Sequence, residues 1–371
     1  MSIYEGIGNK DKGTLSQFRS YLSERGSNLK EEQKVYLAYY WVTRNIKYDY
    51  DGLEKGTYTN DIEQLFPKRV AVCTGFSKLF KDLLLSMNYS ESKIKNIRGY
   101  AKGGGYSPLK EPEADHLWSA VEINGKWCLI DSTWGEGDTS DYFLCAPPKC
   151  FVRDHLPYGN DSLQFLENPI TLQRFHEMTD IGGKKFCKLN MDIIEDKAVQ
   201  NICGKGKILF KKNKNSRIDS NLVAIPYKCY DNLTTFVKRV DDGFEINLSV
   251  NEVNEDKPFG FNIYYNGTSL TYFYINCDEE PKEKVYYPYI EYSFSKYSEA
   301  QLISPLNGRL IKGQKYNFEI KINSEENLTL IQGDEKISMT KNGNTFKEEN
   351  VYIHSNNIYI KIGFQKLISY N

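Results

Sequence analysis

Asp115-His116-Leu117-Trp118-Ser119-Ala120-Val121-Glu122-Ile123-Asn124-Gly125-Lys126-Trp127-Cys128-Leu129-Ile130-Asp131 reads as one hairpin. Asn-Gly between two alternating runs predicts a two-residue type I′ turn, in which both turn residues take positive φ. That turn sets Ile123 opposite Lys126, Glu122 opposite Trp127, Ala120 opposite Leu129 and Trp118 opposite Asp131. Opposed residues share a sheet face, as do alternate residues along each strand. His116 therefore falls on the face of Asp131, one diagonal step away, a gap of roughly 7–8 Å between backbones. An imidazole and a carboxylate together span it. Cys128 falls on the opposite face with Val121 and Ile123, where packing is its expected role.

A candidate nucleophile lies upstream. Phe76, Phe80, Leu83, Leu84 and Met87 recur at helical spacing, and Cys73 stands in or just before the first turn of that helix, behind Lys68 and Arg69. The positive end of a helix and nearby cations favour a thiolate over a thiol. Without His116 and Asp131, Cys73 would read as a small buried apolar residue. With them, Cys73, His116 and Asp131 form the inventory of a thiol nucleophile, its base and the group that orients the base.

The segments around these residues resemble a known family. They are Tyr40-Trp41-Val42-Thr43-Arg44-Asn45-Ile46-Lys47-Tyr48-Asp49, Cys73-Thr74-Gly75-Phe76, Arg98-Gly99-Tyr100-Ala101, His116-Leu117-Trp118, Asp131-Ser132-Thr133-Trp134-Gly135 and Phe151-Val152-Arg153-Asp154-His155-Leu156-Pro157. Together they are similar to the transglutaminase-like superfamily of the kyphoscoliosis-peptidase type. The resemblance covers about residues 30–176. It implies an α+β papain/transglutaminase-like core in which Cys73, His116 and Asp131 are the catalytic triad. It also implies a cysteine peptidase or amidase acting on protein substrates through a thioester, with cytoskeletal or cell-division partners. A true transglutaminase and a non-catalytic adaptor remain open as alternatives, since water and amine acceptors use one triad. Two positions depart from the family: Asp115 and Ser119 stand where Asn is usual.

Composition bounds the rest. The chain has 371 residues, 48 basic and 49 acidic, so no net field draws it to nucleic acid. No apolar run approaches the ~20 residues of a membrane span. Met1–Gly6 lacks the apolar centre of a signal peptide, and eight cysteines without a regular framework read as reduced thiols in the cytoplasm. Sequons such as those at Asn232 and Asn266 then read as chance in an Asn-rich chain. No cofactor is expected. Cys145, Cys150 and His155 lack the four-ligand spacing of a zinc site. Lys102-Gly103-Gly104-Gly105-Tyr106 lacks the Lys-Ser/Thr ending of a phosphate loop and reads as a mobile loop leading to His116. Trp118 and Trp134 read either as walls of an acyl groove or as core.

The expected organisation is an N-terminal helical extension (1–30), a transglutaminase-like catalytic domain (31–187) and two immunoglobulin-like sandwiches (188–290 and 291–371). Thr14 caps a helix to about Glu24, and Glu31 to Ile46 forms a second. Residues 48–67 read as loop, and strands are expected at Ile94–Ala101 and Tyr142–Leu144. The later half is a series of short β-type runs between polar turns, which argues for sandwiches. Its expected role is binding or positioning.

Overall fold

The computed structural model describes Ile7 and residues 11–213, 221–226, 232–253 and 258–371. Met1–Gly6, read above as lacking a signal-peptide centre, lies outside the described residues. The chain divides into two compact units. One runs to His176 and includes Gly182–Lys184; the other holds Glu177–Ile181 and Lys185–Asn371.

The first unit begins with α1 (Leu15–Gly26), closed by a capping box in which Thr14 and Gln17 each accept the other's backbone N–H. Its buried Leu15, Phe18 and Leu22 share a core with α2 (Glu31–Asn45), and Phe18 packs on Trp41 and Phe66 at 4.9 and 5.8 Å. What reads as an extension in the sequence is thus part of the core. Residues 48–67, read as loop, carry two short helices, α3 (Tyr50–Lys55) and α4 (Ile62–Lys68), whose first turns are capped by the Asp49 and Asp61 carboxylates. One or two turns leave no apolar stripe to detect, and Gly52, Gly56 and Pro67 look like breakers.

Helix α5 (Cys73–Ser86) follows at once. Gly75 lets its start press against α4, since a Cβ there would sit 2.7 Å from Ala71 Cβ and 3.0 Å from Leu65 Cδ2. Besides a two-residue parallel pair (Lys47–Tyr48 with Val70–Ala71), the unit carries a five-stranded antiparallel sheet of β1 (Ile94–Ala101), β2 (His116–Ile123), β3 (Lys126–Ile130), β4 (Leu144–Ala146) and β5 (His155–Pro157), in the order β4-β3-β2-β1-β5. The expected strand at 142–144 lies slightly later. The hairpin register is the expected one, with Asn124 and Gly125 at φ 50° and 79°.

The cysteines differ from expectation. Cys128 is bonded to Cys145 and Cys203 to Cys277, and Cys150 and Cys187 are also in disulfides. Among the described cysteines, Cys73 is the free one. Cys128 and Cys145 lie on paired strands and Cys203 and Cys277 just beyond the ends of another pair, so spacing alone gave no framework.

The second unit is all β apart from short helical turns, so the α+β core followed by all-β structure stands as expected. Two four-stranded sheets formed by strands between Met191 and Asn276 enclose Phe210, Phe244, Phe261, Phe273 and their aliphatic neighbours. Sheets of five and four strands between Tyr289 and Tyr370 enclose a second core around Phe318, Leu330, Phe346 and Ile360.

Candidate active site

Cys73 is the first residue of α5 and 9% exposed. One turn on, Ser77 Oγ donates to the Leu117 carbonyl at 3.0 Å, pinning the helix start to the strand residue after His116. Arg98 Nε donates to the Ala114 carbonyl at 3.0 Å and holds the segment that enters β2. Cys73 Sγ lies 3.8 Å from the Asp115 carbonyl. These tethers bring the thiol beside His116.

His116 Nε2 is 2.7 Å from Asp131 Oδ2, so the diagonal contact expected from the hairpin is made, and the other ring nitrogen is left for Cys73. Asp131 lies just past β3, fully buried, where the chain turns. Its Oδ1 accepts the backbone N–H groups of Thr133 and Trp134 at 2.8 and 3.0 Å. The structure therefore brings Cys73, His116 and Asp131 together.

The electrostatics follow from these contacts. Burial opposes thiolate formation at Cys73, but the hydrogen bond and charge of His116, with the Leu117 N–H, outweigh it and lower the thiol below its ordinary range. Burial likewise opposes the imidazolium of His116, and the charge and hydrogen bond of Asp131 raise it regardless. Asp131 is held far below the usual carboxylate range, against its burial, first by His116 and then by His155.

His155 is the residue that sequence reasoning passed over, weighing it only as a zinc ligand. It lies on β5 opposite Ala101, while His116 lies opposite Gly99, so both histidines share a face of the sheet. Gly99 makes that approach feasible: a Cβ there would collide with the Leu156 carbonyl oxygen and the Trp118 ring. His155 Nε2 is 3.0 Å from Asp131 Oδ2, and its Nδ1 is 2.7 Å from Asp154 Oδ1. The signal available in the sequence was the Asp154-His155 pair inside an apolar segment, with no solvent-facing role to explain it.

His116, Asp131 and His155 also offer three converging ligand atoms, all within 4.8 Å of one another. Asp131 Oδ2 already accepts from both rings, so these atoms are engaged with each other. Cys145 and Cys150 are in disulfides and offer no thiolate.

A cavity of about 790 Å³ opens on Cys73 and His116. Tyr48, Tyr100, Trp134 and Phe175 give it aromatic walls, and the Gly103–Tyr106 loop forms another side. Trp134 thus faces the cavity, whereas Trp118 is wholly buried in the core. Of the two departures from the family, Asp115 is exposed at the cavity. Ser119 is buried on the other sheet face and donates to Asn96 Oδ1 at 3.2 Å, away from the site.

Comparison with known proteins supports the resemblance. Residues 19–153 match a family model described as a transglutaminase-like domain. Kyphoscoliosis peptidases of Mus musculus and Homo sapiens are each 29% identical to this chain over 176 residues, a match covering 42% of the chain and 26% of each relative. The chain thus aligns with about a quarter of the length of these relatives. Among solved structures, domains 4–9 of the surface layer protein SbsC match 48% of this chain and 29% of that one at 11% identity, with a TM-score of 0.18. The Ig1-2 module of the Drosophila receptor protein tyrosine phosphatase DLAR matches 48% of this chain and 94% of its own at 10% identity and a TM-score of 0.17. Likeness at that level assigns no fold.

Proposed function

We propose that this protein is a thiol acyl-transfer enzyme that attacks the amide carbonyl of a protein substrate through Cys73, His116 and Asp131. The observation that carries this reading is the lone free thiol among the described cysteines, at a helix start beside an Asp-bound imidazole, on the wall of a large cavity. The Cys73 thiolate adds to the carbonyl carbon. His116, protonated, gives its proton to the departing amine as the C–N bond breaks, leaving a thioester. Asp131 holds the ring in register and balances its charge. The Cys73 backbone N–H, with no earlier turn to bond, is the oxyanion donor, worth ~3 kcal/mol when aligned. Water or an amine then attacks the thioester while His116 takes its proton, and Cys73 leaves as thiolate.

Peptide or amide hydrolysis is our first reading, following the relatives' description as peptidases. The disulfides redirect the expected setting. Such bonds persist in oxidising compartments and are rare in the cytosol, so we place the working protein in an oxidising compartment instead of the cytoplasm. The cytoskeletal partners implied by the family fit that setting poorly. No described helix is long and apolar enough to cross a membrane.

The test is to incubate the full chain with a denatured protein mixture, with and without a fluorescent primary amine. Fragments or free ammonia without label incorporation indicate hydrolysis; incorporation indicates amine transfer. Neither product, or equal product from Cys73→Ala, defeats the enzyme reading.

A further inference from the structure

We propose that His155 is a positioning residue held as an imidazolium between Asp131 and Asp154, which acts through Asp131 to limit how tightly His116 holds its proton. The proposal rests on the reading of His116 as the acid-base group and adds a second imidazole behind it.

The argument is proton accounting. An ionised carboxylate only accepts hydrogen bonds, and a neutral imidazole has one N–H and one lone pair. Asp131 Oδ1 is filled by two backbone N–H groups, and Oδ2 faces the Nε2 atoms of both His116 and His155. The second nitrogen of His155 faces another carboxylate oxygen, Asp154 Oδ1, at 2.7 Å. Asp154 Oδ2 is spoken for by the Gly183 N–H at 2.6 Å. A neutral His155 would oppose a lone pair to one of these oxygens. One added proton resolves the clash, and imidazole, at ~6.5, is intrinsically far more basic than a carboxylate at ~3.9.

The surroundings agree. The titratable groups facing His155 are Asp131, Asp154 and His116, whose ring is 5.4 Å away. Tyr142 lies near Asp154, its phenol raised by burial and then by the Asp154 charge; Arg153 is buried next along the chain. Phe151 stacks on the His155 ring at 4.0 Å, and Trp134 and Trp118 pack at 4.3 and 5.2 Å. Burial disfavours the cation there, yet the Asp154 charge and the Asp131 and Asp154 hydrogen bonds raise His155.

The consequence is functional. Asp131 divides its charge between two imidazoles, so His116 gains less from it than from a carboxylate serving one ring alone. His116 thereby stays willing to release its proton to a leaving amine.

The chain has four histidines, so ¹⁵N-histidine spectra of the intact protein are simple enough to read. We expect one ring, absent from the spectrum of His155→Gln, with both nitrogens protonated at pH 7.5. In Asp154→Asn that ring should lose a proton. In both variants the pH at which His116 deprotonates should rise by about one unit. Iodoacetate alkylation of Cys73 reads the same limb, because its rate falls when the adjacent imidazolium is lost. A neutral His155 in the wild-type spectrum overturns the proposal, as does an unmoved His116 titration in the variants. Equal Cys73 labelling in wild type and His116→Ala would instead defeat the triad while leaving the His155 spectrum intact.

Discussion

The two units bury polar groups for different ends. In the second unit most are neutral and locally satisfied: Thr235 Oγ1 donates to the Ala224 carbonyl at 2.7 Å, and Asn221 Nδ2 to the Ala300 carbonyl at 2.9 Å. Even its buried Asp196 accepts the Thr179 N–H at 3.1 Å. The first unit buries five titratable side chains in one cluster, Cys73, His116, Asp131, Asp154 and His155. Buried ionisable groups are costly unless paired, and clusters with opposed shifts mark chemical sites. The contrast supports placing the proposed chemistry in the first unit.

The largest effect should come from Cys73→Ala, which shortens a small side chain and removes the nucleophile from the site. Turnover should fall by on the order of 10⁴-fold or more, while the melting temperature stays near that of wild type. A residual rate above one-tenth would erase the contrast. Asp131→Asn comes next. It should slow turnover by about 10⁴-fold and cost roughly 3–5 kcal/mol by leaving the His116 imidazolium without its carboxylate and His155 with Asp154 alone, both measurable by kinetics and urea titration.

Proton linkage sharpens the comparison further. Asp131 is lowered on folding, so its stabilisation is present above its unfolded value of ~4 and is lost as pH falls below that. His116 and His155 are raised, so theirs is complete below ~6.5 and is lost as pH climbs, for His116 through about 10. Stability of the first unit should therefore peak between about pH 4 and 6.5 and decline towards pH 10. Calorimetry from pH 4 to 10 should show that decline in wild type and a much flatter profile in Asp131→Asn. Matching profiles would show that the cluster is not linked to folding.

Gly99→Ala should cost about 1–3 kcal/mol, because its methyl must displace the Trp118 ring or the β5 backbone. It should also slow Cys73 alkylation, since both histidines hang on the strands that flank it. Thr235→Val is the small end of the series. Loss of one hydrogen bond should cost about 1 kcal/mol and leave alkylation of Cys73 unchanged; a changed rate would tie the second unit to the chemistry.

What could be read before any coordinates was local and periodic. Asn124-Gly125 dictated a register, Thr14 announced a helix start, and α5 carried its apolar stripe openly. The pairing of His116 with Asp131 followed from that register, whereas Cys73 joined them through its residue type and the family resemblance. His155 was hidden because nothing local fixes β5 against β1; that pairing depends on where an intervening stretch of more than fifty residues returns. The disulfides were hidden for the same reason. Short helices α3 and α4 escaped because side-chain caps, not periodicity, define them.

The bond between Cys128 and Cys145 straddles the turn that carries Asp131, closing a loop across 17 positions. Laboratories usually protect a reactive cysteine with generous amounts of dithiothreitol. For this protein that habit cuts both ways. Strong reductant keeps Cys73 from drifting to sulfenic acid but also unfastens the clasp around Asp131. An assay buffer must preserve the Cys73 sulfur as a thiol and the bonded sulfurs as bridges, so a mild, poised thiol couple suits it better than an excess of either reductant or air.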